Sequence, residues 1–143
     1  MPGQSNIRKL EQGRAAEAYE FARGGASLDK DRRKEYKSYA KNIPMLIKTN
    51  GLGATLAFVK AKAGSKNTSE NAYALLYNQI NRWLNSEQNQ YLFINGKESE
   101  DDLVEKIIRL DSPKYRAATR EVLALFTWVR RFAEGLIEGE ANE

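Results

Sequence analysis

The chain has 143 residues, 41% hydrophobic and 29% charged, with 23 Lys and Arg against 19 Asp and Glu for a net charge of +4. That balance belongs to a globular chain with one hydrophobic core and too little length for two ordinary domains. Cysteine and histidine are absent, which excludes disulfides, thiolate nucleophiles, imidazole proton transfer and Cys/His zinc sites, and leaves an enzyme only carboxylate-metal or lysine chemistry.

The N-terminal stretch MPGQSNIRKLEQ lacks the apolar centre of a secretion signal, and no window approaches the run of about 18 apolar residues that a membrane span needs. A cytoplasmic location is expected, with no membrane partner. Ser5 is placed to cap a first helix in which Ile7, Leu10, Ala18 and Phe21 recur at helical spacing until Gly24-Gly25 ends it. Asp29 caps a second, with Tyr36, Tyr39, Ala40, Ile43, Leu46 and Ile47 on one side and a kink or brief break at Pro44. A third helix is expected from about Leu52 to Ala63. After the polar loop AGSKNTSE, Thr68 or Ser69 caps a fourth, whose inner face carries Tyr73, Leu76, Tyr77, Ile80, Trp83 and Leu84.

Tyr91 to Ile94, before Asn95-Gly96, is strand-like but has no partner strand, so it reads as an extended connection on the core. Ser99 and Asp102 resemble a capping box for a fifth helix holding Leu103, Ile107 and Leu110. Ser112-Pro113 then gives a cap followed by proline at the first helical position. In the last helix Tyr115, Ala118, Val122, Leu125, Val129, Phe132 and Leu136 alternate spacings of three and four over about six turns. Leu123, Phe126, Trp128 and Ile137 widen that stripe beyond a coiled-coil seam. The expected fold is therefore all-α, a single-domain bundle over residues 1–143 of about five to six helices with a long apolar C-terminal helix; residues 1–4 and 139–143 read as frayed ends.

The stretch KTNGLGATLAFVKAK, residues 48–62, sets two glycines among lysines. A dinucleotide fingerprint would place a third glycine where Leu56 stands, and the string of a phosphate-binding P-loop is absent. The simpler reading is structural: Gly51 ends the second helix in a conformation open to glycine, and Gly53 lets the next helix pack closely. The lysines need another explanation.

Charge is segregated. Between Lys30 and Lys66 ten basic residues face only Asp31 and Glu35, whereas the last ten residues hold Glu134, Glu138, Glu140 and Glu143 with no base. Such a basic zone fits a polyanion-binding surface, though lysine-rich helices also serve solubility alone. With Lys34 at zero on a helical wheel, Lys30, Lys37, Lys41 and Lys48 fall within an arc of about 60°, opposite Tyr36, Ala40, Ile43 and Ile47. Lysines one turn apart, about 5 to 6 Å, can engage neighbouring phosphates, which positions a nucleic acid without reading its sequence. The last helix adds Arg116 and Arg120 one turn apart, which also suit pairing with carboxylates on adjacent helices, and Arg130 with Arg131.

The runs YKSYAKNIPMLIKTNGLGATLAF and DSPKYRAATREVLALFTWVRRFAEG resemble the small all-helical subunit of the Cmr, or type III-B, CRISPR RNA-guided effector complex. The likeness spans about Ile7 to Glu138; AGSKNTSE, the termini and QYLFINGKESE look family-variable. The resemblance implies a non-catalytic helical bundle in antiviral defence. Its partners would be other Cmr subunits, further copies of itself, guide RNA and target RNA, with no cofactor, metal or small-molecule substrate. On the matching positions it makes Lys37, Lys41, Lys48, Arg130 and Arg131 the leading candidates for RNA backbone contacts, with Lys34, Lys60, Lys62, Arg116 and Arg120 behind them. Two rivals remain: a stand-alone helical nucleic-acid-binding regulator, and an enzyme using Asp101, Asp102 and Glu105, which also suit the acidic first turn of a helix.

Overall fold

The computed structural model describes residues 2–68, 70–93 and 102–139, with side chains from Arg8 onward. Among them are six α-helices and no strand: α1 (Pro2–Ala26), α2 (Lys30–Asn50), α3 (Leu52–Ala63), α4 (Ala72–Leu84), α5 (Leu103–Ile108) and α6 (Ser112–Leu136). A 3-10 segment, Glu87–Phe93, follows α4. The all-α bundle is as expected, and several boundaries are not.

α1 does not stop at Gly24-Gly25 but runs through both. A Cβ on Gly25 would lie 2.3 Å from the Tyr36 ring, so this glycine permits a close crossing of α2 rather than ending a helix. α2 starts as expected, with the Asp29 carboxylate accepting from the Arg32 amide at 3.0 Å, and it continues helically through Pro44. Gly51 closes it at φ 90°, ψ 160°, a conformation only glycine takes readily. The Gly53 amide then donates to the Tyr115 hydroxyl at 2.8 Å, the close packing that its missing side chain allows.

α4 is capped by Asn71, whose side chain accepts from the amides of Tyr73 and Ala74, not by Thr68; Ser69 lies outside the described residues. Tyr91 to Phe93 forms part of the 3-10 segment instead of an extended connection. Ile94, Asn95, Gly96 and Ser99 also fall outside the described residues. Asp102 stands at the N-cap of α5 without a side-chain cap bond, and Leu110 lies beyond that helix. α6 is capped by Asp111, which accepts from the Lys114 amide, so Ser112 is the first helical residue and not the cap.

The helices share one core. Tyr36, Ala40, Ile43 and Ile47 of α2 meet Leu52, Leu56 and Val59 of α3, Leu76, Ile80 and Trp83 of α4, and Val122, Leu125, Phe126 and Val129 of α6. Each such large side chain contributes about 1.5–3 kcal/mol by leaving water. Two buried polar clusters fix how the helices meet. The Tyr36 hydroxyl donates its one proton to the Gln79 side-chain oxygen (2.7 Å), and the Gln79 side-chain nitrogen donates to the Phe21 carbonyl (2.9 Å), which lies 3.0 Å from the Tyr36 oxygen. Glu121, 6% exposed, takes two bonds from the Arg14 guanidinium (2.8 and 3.0 Å) and one from the Trp83 indole (3.2 Å). Tyr39 is half-buried, stacked on Tyr73 at 3.8 Å between ring centres.

Candidate nucleic-acid interface

α2 and α6 lie antiparallel, with Lys37 beside Ile137 at one end and Gly51 beside Tyr115 at the other. The lysine stripe of α2 lies about 120° round the helix from the buried Tyr36, Ala40, Ile43 and Ile47, and Lys37 beside Ile137 and Lys48 in the groove set that edge along α6. α6 buries Ala118, Val122, Leu125, Phe126, Val129 and Ala133, so Arg116, Arg120, Thr127, Arg130 and Arg131 share a wheel arc of about 100° on its outer side. The two edges enclose a groove of about 380 Å³ lined by Pro44, Lys48, Leu123, Phe126, Thr127, Arg130, Arg131 and Glu134.

Three bases therefore converge on one acid. Glu134 lies 3.9 Å from the Arg130 guanidinium, both about half exposed, a separation and exposure at which an ion pair is worth little. Among the described residues Lys48 and Arg131 have no carboxylate within pairing distance, and neither do Lys34, Lys41, Arg116 and Arg120. Lys41 sits two turns before Lys48 on the same edge of α2, about 10 Å away. Arg116 and Arg120 extend the basic edge of α6 about 20 Å from Arg130. Pro44, Leu123 and Phe126 give the groove an apolar floor, and the exposed Thr127 hydroxyl donates to the Leu123 carbonyl at 3.0 Å.

Other candidates are placed differently. Lys37 donates to the carbonyl oxygens of Ile137, at 3.0 Å, and Gly139. It thus anchors the C-terminal end of α6, where a cation also complements the helix dipole. The Lys34 side chain passes beside Gly139. Lys60 and Lys62 stand on α3, and neither lines the groove. The Lys60 ammonium pairs with Asp102 at 2.9 Å, and Lys62 lies over the Phe58 ring, 5.6 Å from its centre.

Asp102 also accepts from the Tyr77 hydroxyl at 2.6 Å. Burial alone would raise its pKa, but the Tyr77 bond and the Lys60 ammonium together hold it below the ordinary carboxylate value. The same burial, with the negative partner, pushes the Tyr77 hydroxyl well up. Glu105 is tied to Arg109 at 2.7 Å, and Asp101 lies outside the described residues. Among the described residues no three acidic side chains are grouped to hold a metal ion, and no helix is long and apolar enough to cross a membrane.

The sequence reading missed Pro44, Leu123, Phe126, Thr127 and Glu134 as parts of the groove. The spacing 123, 127, 130, 134 on the last helix was a usable signal for one wall.

Residues 10–136 match the family model described as CRISPR-associated protein (Cas_Cmr5). A Thermus thermophilus protein named CRISPR system Cmr subunit Cmr5 is 31% identical over 132 residues, covering 92% of this chain and 99% of its own. A protein of the same name from Thermotoga maritima is 27% identical over 119 residues, covering 81% of this chain and 78% of its own. The crystal structure of a CRISPR-associated Cmr5 family protein from Thermus thermophilus matches with a TM-score of 0.66 at 31% identity, over 90% of this chain and 96% of that one.

Proposed function

Because the chain belongs to the Cas_Cmr5 family of CRISPR-associated proteins, we propose that it is the small subunit of a cytoplasmic type III-B Cmr complex. In that role it holds RNA by its sugar-phosphate backbone and cuts nothing itself. The observation that carries this reading is the convergence of Lys48, Arg130 and Arg131 on one groove with a single, loosely held carboxylate. Fixed cations in a concave, partly apolar setting attract consecutive phosphates without distinguishing bases. Lys41, Arg116 and Arg120 lengthen the track; Lys34 lies at its far end. Lys37 supports it by fixing the end of α6, and Lys60 and Lys62 take no part.

A single chain offers only a few such contacts, so isolated binding is weak and salt-sensitive. Several copies set in series beside the backbone subunits supply useful retention through effective concentration. The stand-alone DNA-reading regulator has less support, because residues 10–136 match the CRISPR-associated Cas_Cmr5 family model instead.

The experiment is reconstitution of the Cmr complex from the same host with the triple variant Lys41→Glu, Lys48→Glu, Arg131→Glu. The variant should enter the complex at normal stoichiometry and retain target RNA poorly. Unchanged RNA retention and unchanged salt dependence would reject the groove as the contact surface.

A further inference from the structure

The groove between α2 and α6 carries more than charge. Because the two helices run antiparallel, Lys48 borders it towards the Leu123 end of α6, and Arg130 and Arg131 border it about two turns further along. Between these two sets of cations lie Pro44 and Leu123, both half-buried, over Phe126, which is 1% exposed. From Leu123 to Arg130 this wall is about 10 Å long. A strand that showed the groove only its backbone would leave that apolar strip in water.

Pro44 is a second observation. Proline inside a helix removes one backbone hydrogen bond and crowds the carbonyl four residues before it, yet α2 continues through it. On the wheel Pro44 falls about 20° beyond the lysine stripe, where it lines the groove with a flat, rigid ring that bears no polar atom. A helix rule broken at one residue, beside a surface kept cationic, marks a site shaped for a ligand.

The charge count is a third. Three bases, Lys48, Arg130 and Arg131, against the one acid Glu134 leave the lining at +2, which matches the two phosphates on either side of one nucleoside.

We infer that the groove is a subsite for one unpaired nucleotide, whose base lies flat on Pro44 and Leu123 while its flanking phosphates reach Lys48 on one side and Arg130 with Arg131 on the other. The occupant is a single RNA strand with a base turned inward, since a base within a duplex cannot reach the floor without leaving its stack. The floor offers no donor or acceptor to a base edge, so any base serves. This subsite presupposes the RNA-holding role proposed above.

Salt separates the two kinds of contact. Phosphate contacts set the slope of log affinity against log salt, whereas an apolar contact with a base shifts affinity equally at every salt concentration. Fluorescence anisotropy of the full chain is measured with a labelled single-stranded RNA, with the same strand made abasic along its length, and with the strand paired to its complement. The abasic strand should bind about fivefold more weakly than the intact one, the low end for a stacked base, with the same slope. Pro44→Ala and Leu123→Asn should each weaken binding of the intact strand severalfold and leave the abasic strand and the duplex unaffected. Pro44→Ala should also raise the melting temperature, which separates its effect on RNA from damage to the fold. Equal affinity for intact and abasic strands, or an equal loss on the duplex for the two variants, would overturn the subsite and leave the phosphate track standing. A parent chain whose affinity for every strand ignored salt would overturn the RNA reading, and the subsite with it.

Discussion

Neutralising the groove should change how RNA binding responds to salt by an amount set by the geometry. The perturbation is Lys41→Gln, Lys48→Gln and Arg131→Gln together, which removes three charges without introducing a carboxylate. Each single-strand phosphate neutralised contributes about −0.7 to the slope of log affinity against log salt. Four contacts, from Lys41, Lys48, Arg130 and Arg131, give a slope of about −2.8, so raising salt from 50 to 200 mM weakens binding about fiftyfold. The triple variant keeps one of the four, a slope of about −0.7 and a loss of about threefold over the same range. Engagement of Arg116 and Arg120 steepens both slopes equally, so the difference of about 2 is the firm quantity. The assay is fluorescence anisotropy of a labelled single-stranded RNA across a salt series, with circular dichroism to check the fold. Lys62→Gln is the control, since Lys62 sits over Phe58 and outside the groove. Equal slopes for parent and triple variant, or an equal drop for Lys62→Gln, would refute the assignment.

The structural claims have their own measurements. Glu121→Ala leaves the part-buried Arg14 guanidinium and the Trp83 indole without their acceptor; it should cost about 3–5 kcal/mol in urea unfolding, and Arg14→Met with Glu121→Leu should recover much of that. Gly25→Ala puts a methyl 2.3 Å from a fully buried ring and should destabilise by about 3 kcal/mol, outweighing the helix-propensity gain of about 1 kcal/mol. Lys60→Met should cost less than about 1 kcal/mol, the pair being partly exposed. Because Asp102 is held below its ordinary value near 3.8, its contribution is complete above that pH and is lost as pH falls through the lowered value. The gap between parent and Lys60→Met should therefore be present at pH 5 to 7 and close in strongly acidic solution.

Periodic features were legible in the sequence and long-range ones were not. The α2 stripe follows from spacing alone, as does the Asp29 cap, whose acceptor and donor are three residues apart. Cap choice failed where several short polar residues stood in a row: Asn71 won over Thr68, and Asp111 over the adjacent Ser112. Each rival carries a suitable oxygen, and packing of the following helix decides between them. Gly24-Gly25 read as a stop because glycine after an apolar run usually is one. Its actual reason, the Tyr36 ring, lies eleven residues further on and leaves no local signature. The groove has the same character. Both walls show in the helical period, but nothing in the order of residues says that α2 would lie along α6, or that Lys37 would be spent on the carbonyls of Ile137 and Gly139.

That last contact bears on why the groove stays cationic at all. Like charges one turn apart, at about 6 Å in water, repel by roughly 0.7 kcal/mol per pair, and a single glutamate in place of Thr127 or Lys48 would relieve much of it. Burial of Ile43, Ile47, Val122, Phe126 and Val129 in the core outweighs that repulsion several times over at about 1.5–3 kcal/mol for each large side chain. Lys37 adds a clamp at the far end. The helices are thus held together by apolar packing and one backbone anchor, which leaves the facing charges unneutralised at small cost. Local charge rules are broken here while core packing, caps and buried polar pairs are satisfied elsewhere, the pattern expected where a surface is kept for a ligand. On the function proposed above, a phosphate chain would be the ligand whose arrival turns that repulsion into binding.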